Sequence, residues 1–312
     1  MTEQQLLKEA TDLYHQEGRE AEAITAFRKL LAAYPKNSEA WAHLSTMCRQ
    51  IGDYDAAISA IDRAISLAPE DAWLNEQKGS LLASIARMPA ESQHYFDERT
   101  REAFLITAYP TKSHLLLALD RTLEHLLHLM EKAGKPTFKP RLKLAMSKTN
   151  IGAHKDAITI LTGLLDGPPP PRMNPARWQR QRLNLDNHIA NNLVALGRYA
   201  AAETRYQSVM TNQKDNYLTG LQLVKLYEAS AEPAKRKGLL QQLYSDNEAR
   251  FKRSPEPAFL FRKIALLRAL DEPNRLKELE ADFAALPTDR EYNQQAIKEM
   301  RATINEILGD AE

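Results

Sequence analysis

At 312 residues, with 43% hydrophobic and 27% charged residues and a formal net charge of +1, the chain has the makeup of a folded, water-soluble protein. The near-zero charge speaks against non-specific nucleic-acid binding as its main task, and the single cysteine, Cys48, excludes an internal disulfide and a zinc site built on cysteines. Met1-Thr2-Glu3-Gln4-Gln5 opens no basic-then-apolar signal, and the longest apolar run, near 115–119, falls far short of the ~20 residues of a membrane span, so the cytoplasm is the expected compartment.

From the N-terminus, Leu6, Leu7, Ala10, Leu13 and Tyr14 form one helical stripe. Gly18 makes a turn, and Ala23, Phe27, Leu30 and Leu31 form a second stripe that ends at Tyr34-Pro35, because proline disfavours helix at the residue before it. The next unit repeats this plan with Trp41, Leu44, Cys48, Gly52, Tyr54, Ala57, Ile61, Ala64, Leu67 and Pro69. A third unit starts at Ala72-Trp73 and has Gly79 within its first helix. Its turn, 87–92, is enlarged, and its second helix is expected over 92–108, before Tyr109-Pro110. A long helix follows over 113–133, with Leu115, Leu116, Leu119, Leu123, Leu126, Leu127 and Met130 apolar, and Gly134-Lys135-Pro136 stops it. Helical units over 138–165 and 178–211 flank Gly167-Pro168-Pro169-Pro170-Pro171, which cannot be helix and reads as a stiff connector. Periodicity alone places helices near 216–230, 233–250, 256–269 and 273–285. A last helix, 291–308, carries Tyr292, Ile297, Met300, Ile304 and Leu308, a stripe suited to capping the array or to dimerisation. No strand is expected.

Four turn segments rhyme: Gly18-Arg19-Glu20-Ala21-Glu22-Ala23, Gly52-Asp53-Tyr54-Asp55-Ala56-Ala57, Gly152-Ala153-His154-Lys155-Asp156-Ala157 and Gly197-Arg198-Tyr199-Ala200-Ala201-Ala202. The first two stand 34 residues apart, as do Pro35 and Pro69, which is the tetratricopeptide-repeat period. With the offsets from Trp41 to Pro69, the chain resembles the tetratricopeptide-repeat family, most specifically over 3–70 and again over 138–169 and 183–214. The resemblance implies an all-α right-handed solenoid of six or seven antiparallel helix pairs with a C-terminal capping helix. It divides the chain into an N-terminal array of three repeats (1–110), a long helix plus one repeat (111–166), a proline-rich connector (167–176) and a C-terminal array with its cap (177–312).

Catalytic signatures are missing: there is no glycine-rich phosphate loop, no Gly-x-Ser-x-Gly elbow and no His-Glu-x-x-His. The expectation is a binding protein without enzymatic activity, cofactor or metal. Family members line their groove with the first helix of each repeat. By that resemblance Asn184, Asn187 and Asn191, with His188 beside them, face the groove, and each asparagine carries a donor and an acceptor for the backbone of an extended peptide. Lys8, His15, Arg49 and Trp73 hold groove positions in the first three repeats. Positions that clamp a C-terminal carboxylate in some members read Lys8, Asp12, His43, Trp73 and Gln77 here, and Asp12 argues against that mode.

Arg177, Arg180 and Arg182 around Trp178 suit an acidic protein patch or RNA, although Trp178 serves equally as a packing residue. His114, Arg121, His125, His128 and Lys132 share a helix face that reads as an anion strip or a plain solvated surface. The leading expectation is an adaptor or scaffold that holds a peptide segment or helix of another protein, with nucleic acid and membrane not expected as partners. The alternative is a regulatory or recognition subunit that delivers a protein or RNA substrate to a separate enzyme.

Overall fold

Helix starts are set by local chemistry. Thr2 and Gln5 form a capping box at α1 (Glu3–Tyr14), each side chain satisfying the other's backbone N–H at 3.3 and 2.8 Å. Asn37 accepts from Ala40 N–H at 2.7 Å to open α3 (Ser38–Gln50), and Asp53 accepts from Ala56 N–H at 3.1 Å to open α4 (Tyr54–Leu67). The structure is a computed structural model that describes residues 1–86, 112–213, 215–288 and 291–309, with only the backbone of Lys112. Among these residues the remaining helices are α2 (Glu20–Ala33), α5 (Ala72–Ala86), α6 (Lys112–Lys132), α7 (Phe138–Asn150), α8 (His154–Asp166), α9 (Pro175–Ala195), α10 (Tyr199–Asn212), α11 (Tyr217–Ala229), α12 (Pro233–Arg253) and α13 (Pro257–Leu270). A 3-10 helix (Pro273–Leu279), α14 (Glu280–Ala285) and α15 (Glu291–Gly309) complete the chain, and there is no strand among the described residues.

Two compact units emerge, Met1–Gln181 and Arg182–Glu312, with the division inside α9. In the first, α1 pairs with α2, α3 with α4, α5 with α6 and α7 with α8. The sequence reading treated α6 as a long helix of its own, and among the described residues it packs on α5 and on α7. Lys132 pairs with Glu70 at 3.0 Å while Leu123 lies beside Gly79, so α6 runs antiparallel along α5. The expected second helix at 92–108 and the enlarged turn lie outside the described residues.

Small residues let the paired helices close. Ala23, Ala57, Ala157 and Ala202, each five residues past its turn glycine, are all 0% exposed. Four residues further on, Phe27, Ile61, Leu161 and Tyr206 fill the space so created and are buried too. The pairs α7–α8 and α9–α10 therefore repeat the packing of the first two.

In the second unit α9 and α10 pair through Arg205–Asp186 and Tyr206–Asn191, α11 packs on α12, and α12 on α13. Turn chemistry explains why periodicity alone, and no repeat pattern, marks the helices after residue 216. At Gly52, Gly152 and Gly197 the backbone has φ of +83°, +80° and +71°, and the next N–H bonds back to the carbonyl five residues earlier at 2.8–2.9 Å. The same closure stands at Ala231 (φ +56°, Glu232 N–H to Tyr227 O, 2.8 Å) and Asp271 (φ +59°, Glu272 N–H to Leu267 O, 3.1 Å). Ala231 stands one repeat length after Gly197, but it carries a Cβ that opposes the left-handed conformation. Ala231→Gly is expected to raise the stability of this unit by about 0.5–1 kcal/mol, less than the full strain because glycine also frees the unfolded chain. Urea denaturation checks this, and a loss of stability would mean that the turn is not strained.

The chain closes with α15 packed on α13 and on the 3-10 helix. Met300 and Ile304 of its stripe are buried there at 4% and 7%, whereas Tyr292 lies off that face at 77% exposure. Those two residues are thus spent on the fold itself and not held open for dimerisation. No described helix is long and apolar enough to cross a membrane.

Candidate functional site

Between the first helices of the third and fourth pairs, α5 and α7, lies a cleft of about 660 Å³. Leu116, Leu119 and Leu123 of α6 form its floor, Gly79, Ser80 and Ala83 one wall, and Met146, Ser147 and Asn150 the other. The opening follows from the pairing of α6. This helix packs on both α5 and α7, so it holds the two first helices apart and supplies the apolar surface between them. At the rim Lys143 reaches Glu76 of the facing helix at 3.6 Å. Ser147 is 2% exposed, and its Oγ has no hydrogen-bond partner, an uncompensated cost for a buried hydroxyl.

The far wall is pinned from below. Lys148 of α7 donates to Asp120 and Glu124 of α6, both at 2.6 Å. Burial pulls the Lys148 ammonium down, but the two carboxylates outweigh it and hold its pKa above the usual lysine range. Sequence reasoning missed this cleft, because it exists only through the pairing of α5 with α6 across the 87–111 interval. The one hint was Trp73, which is 46% exposed and sits two helical turns before Ser80 on α5.

The asparagine row lies on α9 in the second unit, and it is less open than its spacing implied. Asn184 is exposed. Asn187 is half-buried and donates to Thr219 Oγ1 on α11 at 3.1 Å. Asn191 accepts from the Tyr206 hydroxyl on α10, so it is engaged with the second helix of its own pair. Burial pushes the Tyr206 phenol up to about 12, so it stays a donor across the physiological range. His188 is half-buried, and burial holds its imidazole below the usual histidine range. Asn192, which sequence reasoning did not single out, is 1% exposed and donates to His188 O at 2.8 Å.

Asn174 Oδ1 accepts from Arg177 N–H at 2.8 Å and starts α9. Arg177, Arg180 and Arg182 are exposed, the first two in the N-terminal unit and the third in the other. Trp178 and Phe138 make a T-shaped contact with centroids 5.8 Å apart, so part of the indole is committed to packing α9 on α7. Lys8 and His15 are exposed on α1 and at its C-terminal end, and Arg49 is half-buried near the end of α3. His43, a clamp position in the carboxylate-binding mode, is packed between Tyr14 and Phe27 at 5.1 and 5.4 Å.

The histidine strip on α6 is partly a contact surface, with His125 3.4 Å from Pro69 O and Lys132 bound to Glu70. Cys48 is buried, and burial raises its thiol. No group of three or more metal-ligating side chains occurs among the described residues.

Residues 7–72 match the tetratricopeptide-repeat family model. No curated protein sequence matches the chain. Among solved structures, a tetratricopeptide-repeat protein from Parabacteroides merdae ATCC 43184 is similar over 96% of this chain and 98% of its own, at 13% identity and a TM-score of 0.51. MamA from Desulfovibrio magneticus RS-1 is similar over 68% of this chain and 97% of its own, at 12% identity and a TM-score of 0.44. YrrB, described as a tetratricopeptide-repeat protein with an unusual peptide-binding site, is similar over 71% and 92%, at 10% identity and a TM-score of 0.45. The first of these likenesses is one of fold.

Proposed function

This is a tetratricopeptide-repeat protein, and we propose that it serves as an interaction scaffold whose cleft between α5 and α7 takes the apolar side chains of a peptide segment or helix from another protein. The observation that carries this reading is the cleft itself: about 660 Å³, open between two first helices, with a leucine floor and an unpartnered hydroxyl in its wall. Two apolar side chains buried there contribute about 3–6 kcal/mol before the cost of ordering the segment. Trp73 extends the contact along α5. In the C-terminal unit Asn184 is the open member of the asparagine row and a separate candidate for main-chain pairing.

Ala83→Arg with Met146→Arg fills the cleft mouth with two guanidinium groups while leaving the floor packing intact. Capture from lysate with cross-linking and mass spectrometry is expected to recover a protein joined to α5 and α7, and the double variant is expected to lose it with an unchanged circular dichroism spectrum. An identical capture by the folded variant would refute the cleft as the site. Captured RNA that is released by salt and lost on changing Arg177, Arg180 and Arg182 to alanine would favour the delivery role instead.

A further inference from the structure

The second helices of the first two pairs make a groove of the reverse construction. Its walls are α2 and α4, its floor is α3, and its volume is about 600 Å³. Leu31 and Ala60 from the walls and Leu44 from the floor give it an apolar surface. Trp41 stands in the floor with its indole N–H bonded to Pro35 O at 3.0 Å, so the ring is fixed before anything binds. Such a rigid, half-buried aromatic is what anchors binding hot spots.

Charge sets the kind of partner. Arg28 on α2 and Arg63 on α4 line the groove, one from each wall, and both are exposed. No lining side chain is acidic. Two guanidinium groups beside an apolar trough complement carboxylates placed on either side of an apolar anchor. A nucleic acid would find two partners for phosphate and one ring to stack on, but it would gain nothing from the aliphatic surface of Leu31, Leu44 and Ala60.

The geometry points to a second binding surface here, for a segment of another protein in which an aliphatic or aromatic side chain is flanked by aspartate or glutamate. The groove shares no residue with the cleft between α5 and α7, so either site stands if the other fails. Carrying both, one chain would hold two partner segments at once.

The test uses the full-length protein and a fluorescein-labelled peptide of alternating aspartate and leucine with one phenylalanine, beside the same peptide with lysine for aspartate. Saturable binding of the aspartate peptide is expected, with NMR shifts at the Trp41 indole and the Ala60 amide. Arg28→Glu with Arg63→Glu, both on exposed positions, is expected to weaken it at least tenfold without changing the thermal melt, and to bind the lysine peptide better than the parent does. No saturable binding, equal affinity of parent and variant for the aspartate peptide, or shifts confined to α5 and α7 would each overturn the proposal.

Discussion

Asp282→Ala is expected to cost the C-terminal unit about 3 kcal/mol, the lower end of the range for breaking a buried ion pair. The reason lies in its partner. Lys263 is only 3% exposed, and its ammonium is hydrogen-bonded to Asp282 while lying 5.7 Å from the centroid of Tyr244 and 5.4 Å from that of Phe251. The two rings offer their negative faces, but no full charge. Without Asp282 the ammonium keeps its desolvation cost and loses its counter-charge. The Asp282 side chain retains 23% exposure, so water partly replaces it, which places the cost at the low end. Lys263→Met combined with Asp282→Leu removes both charges at similar volume and is expected to recover most of the loss. Urea denaturation of the three proteins decides the matter: a cost below about 1 kcal/mol for Asp282→Ala would mean that Lys263 reaches solvent by a small shift of α13. The pair matters for architecture because it ties α13 to α14.

Phe27→Ala is expected to destabilise the N-terminal unit by about 3–5 kcal/mol, because its ring is 0% exposed and the backbone around it is held by close-packed alanines that leave little room to collapse. The same substitution has a second readout. Phe27 stacks on His43 at 5.4 Å with 17° between the planes. Burial holds the His43 imidazole below the usual histidine range, with Glu39 at 3.8 Å opposing the shift and His15 reinforcing it. The unfolded chain therefore binds more protons than the folded one just below pH 6.5. His43 contributes full stability above that pH and loses it as pH falls towards the folded pKa. Phe27→Ala lets water reach the ring, so the NMR-titrated pKa is expected to rise towards the ordinary value and this part of the pH slope to shrink. An unchanged His43 titration in the variant would show that Tyr14, at 5.1 Å, and the helix backbone suffice to dehydrate it. Because each repeat touches only its neighbours, the lost stability is expected to appear as an early transition of the N-terminal unit and not as a uniform shift.

The helices and their order were legible in the sequence because each is specified within one or two turns. Thr2, Asn37 and Asp53 mark starts, the 3.6-residue stripes mark buried faces, and Gly52, Gly152 and Gly197 mark turns where a positive φ is needed. The alanines at 23, 57, 157 and 202 could be assigned to close helix contacts for the same reason: their spacing from the turn is constant. The turns at Ala231 and Asp271 were not legible as repeat turns, since neither has the turn glycine: Ala231 takes a positive φ against its own preference, and Asp271 takes one that its short polar side chain tolerates.

By itself, then, the sequence determined an all-α chain of tetratricopeptide-like pairs without a recognised catalytic motif, all of it encoded in short-range patterns. Only the tertiary structure decided that α6 packs on α5, that Asn187 and Asn191 are engaged with Thr219 and Tyr206, and that open apolar surface lies between α5 and α7 and between α2 and α4. These depend on which helices become neighbours and what space is left between them. A periodic stripe states that a residue faces a partner, but not which partner or how completely that partner fills the gap.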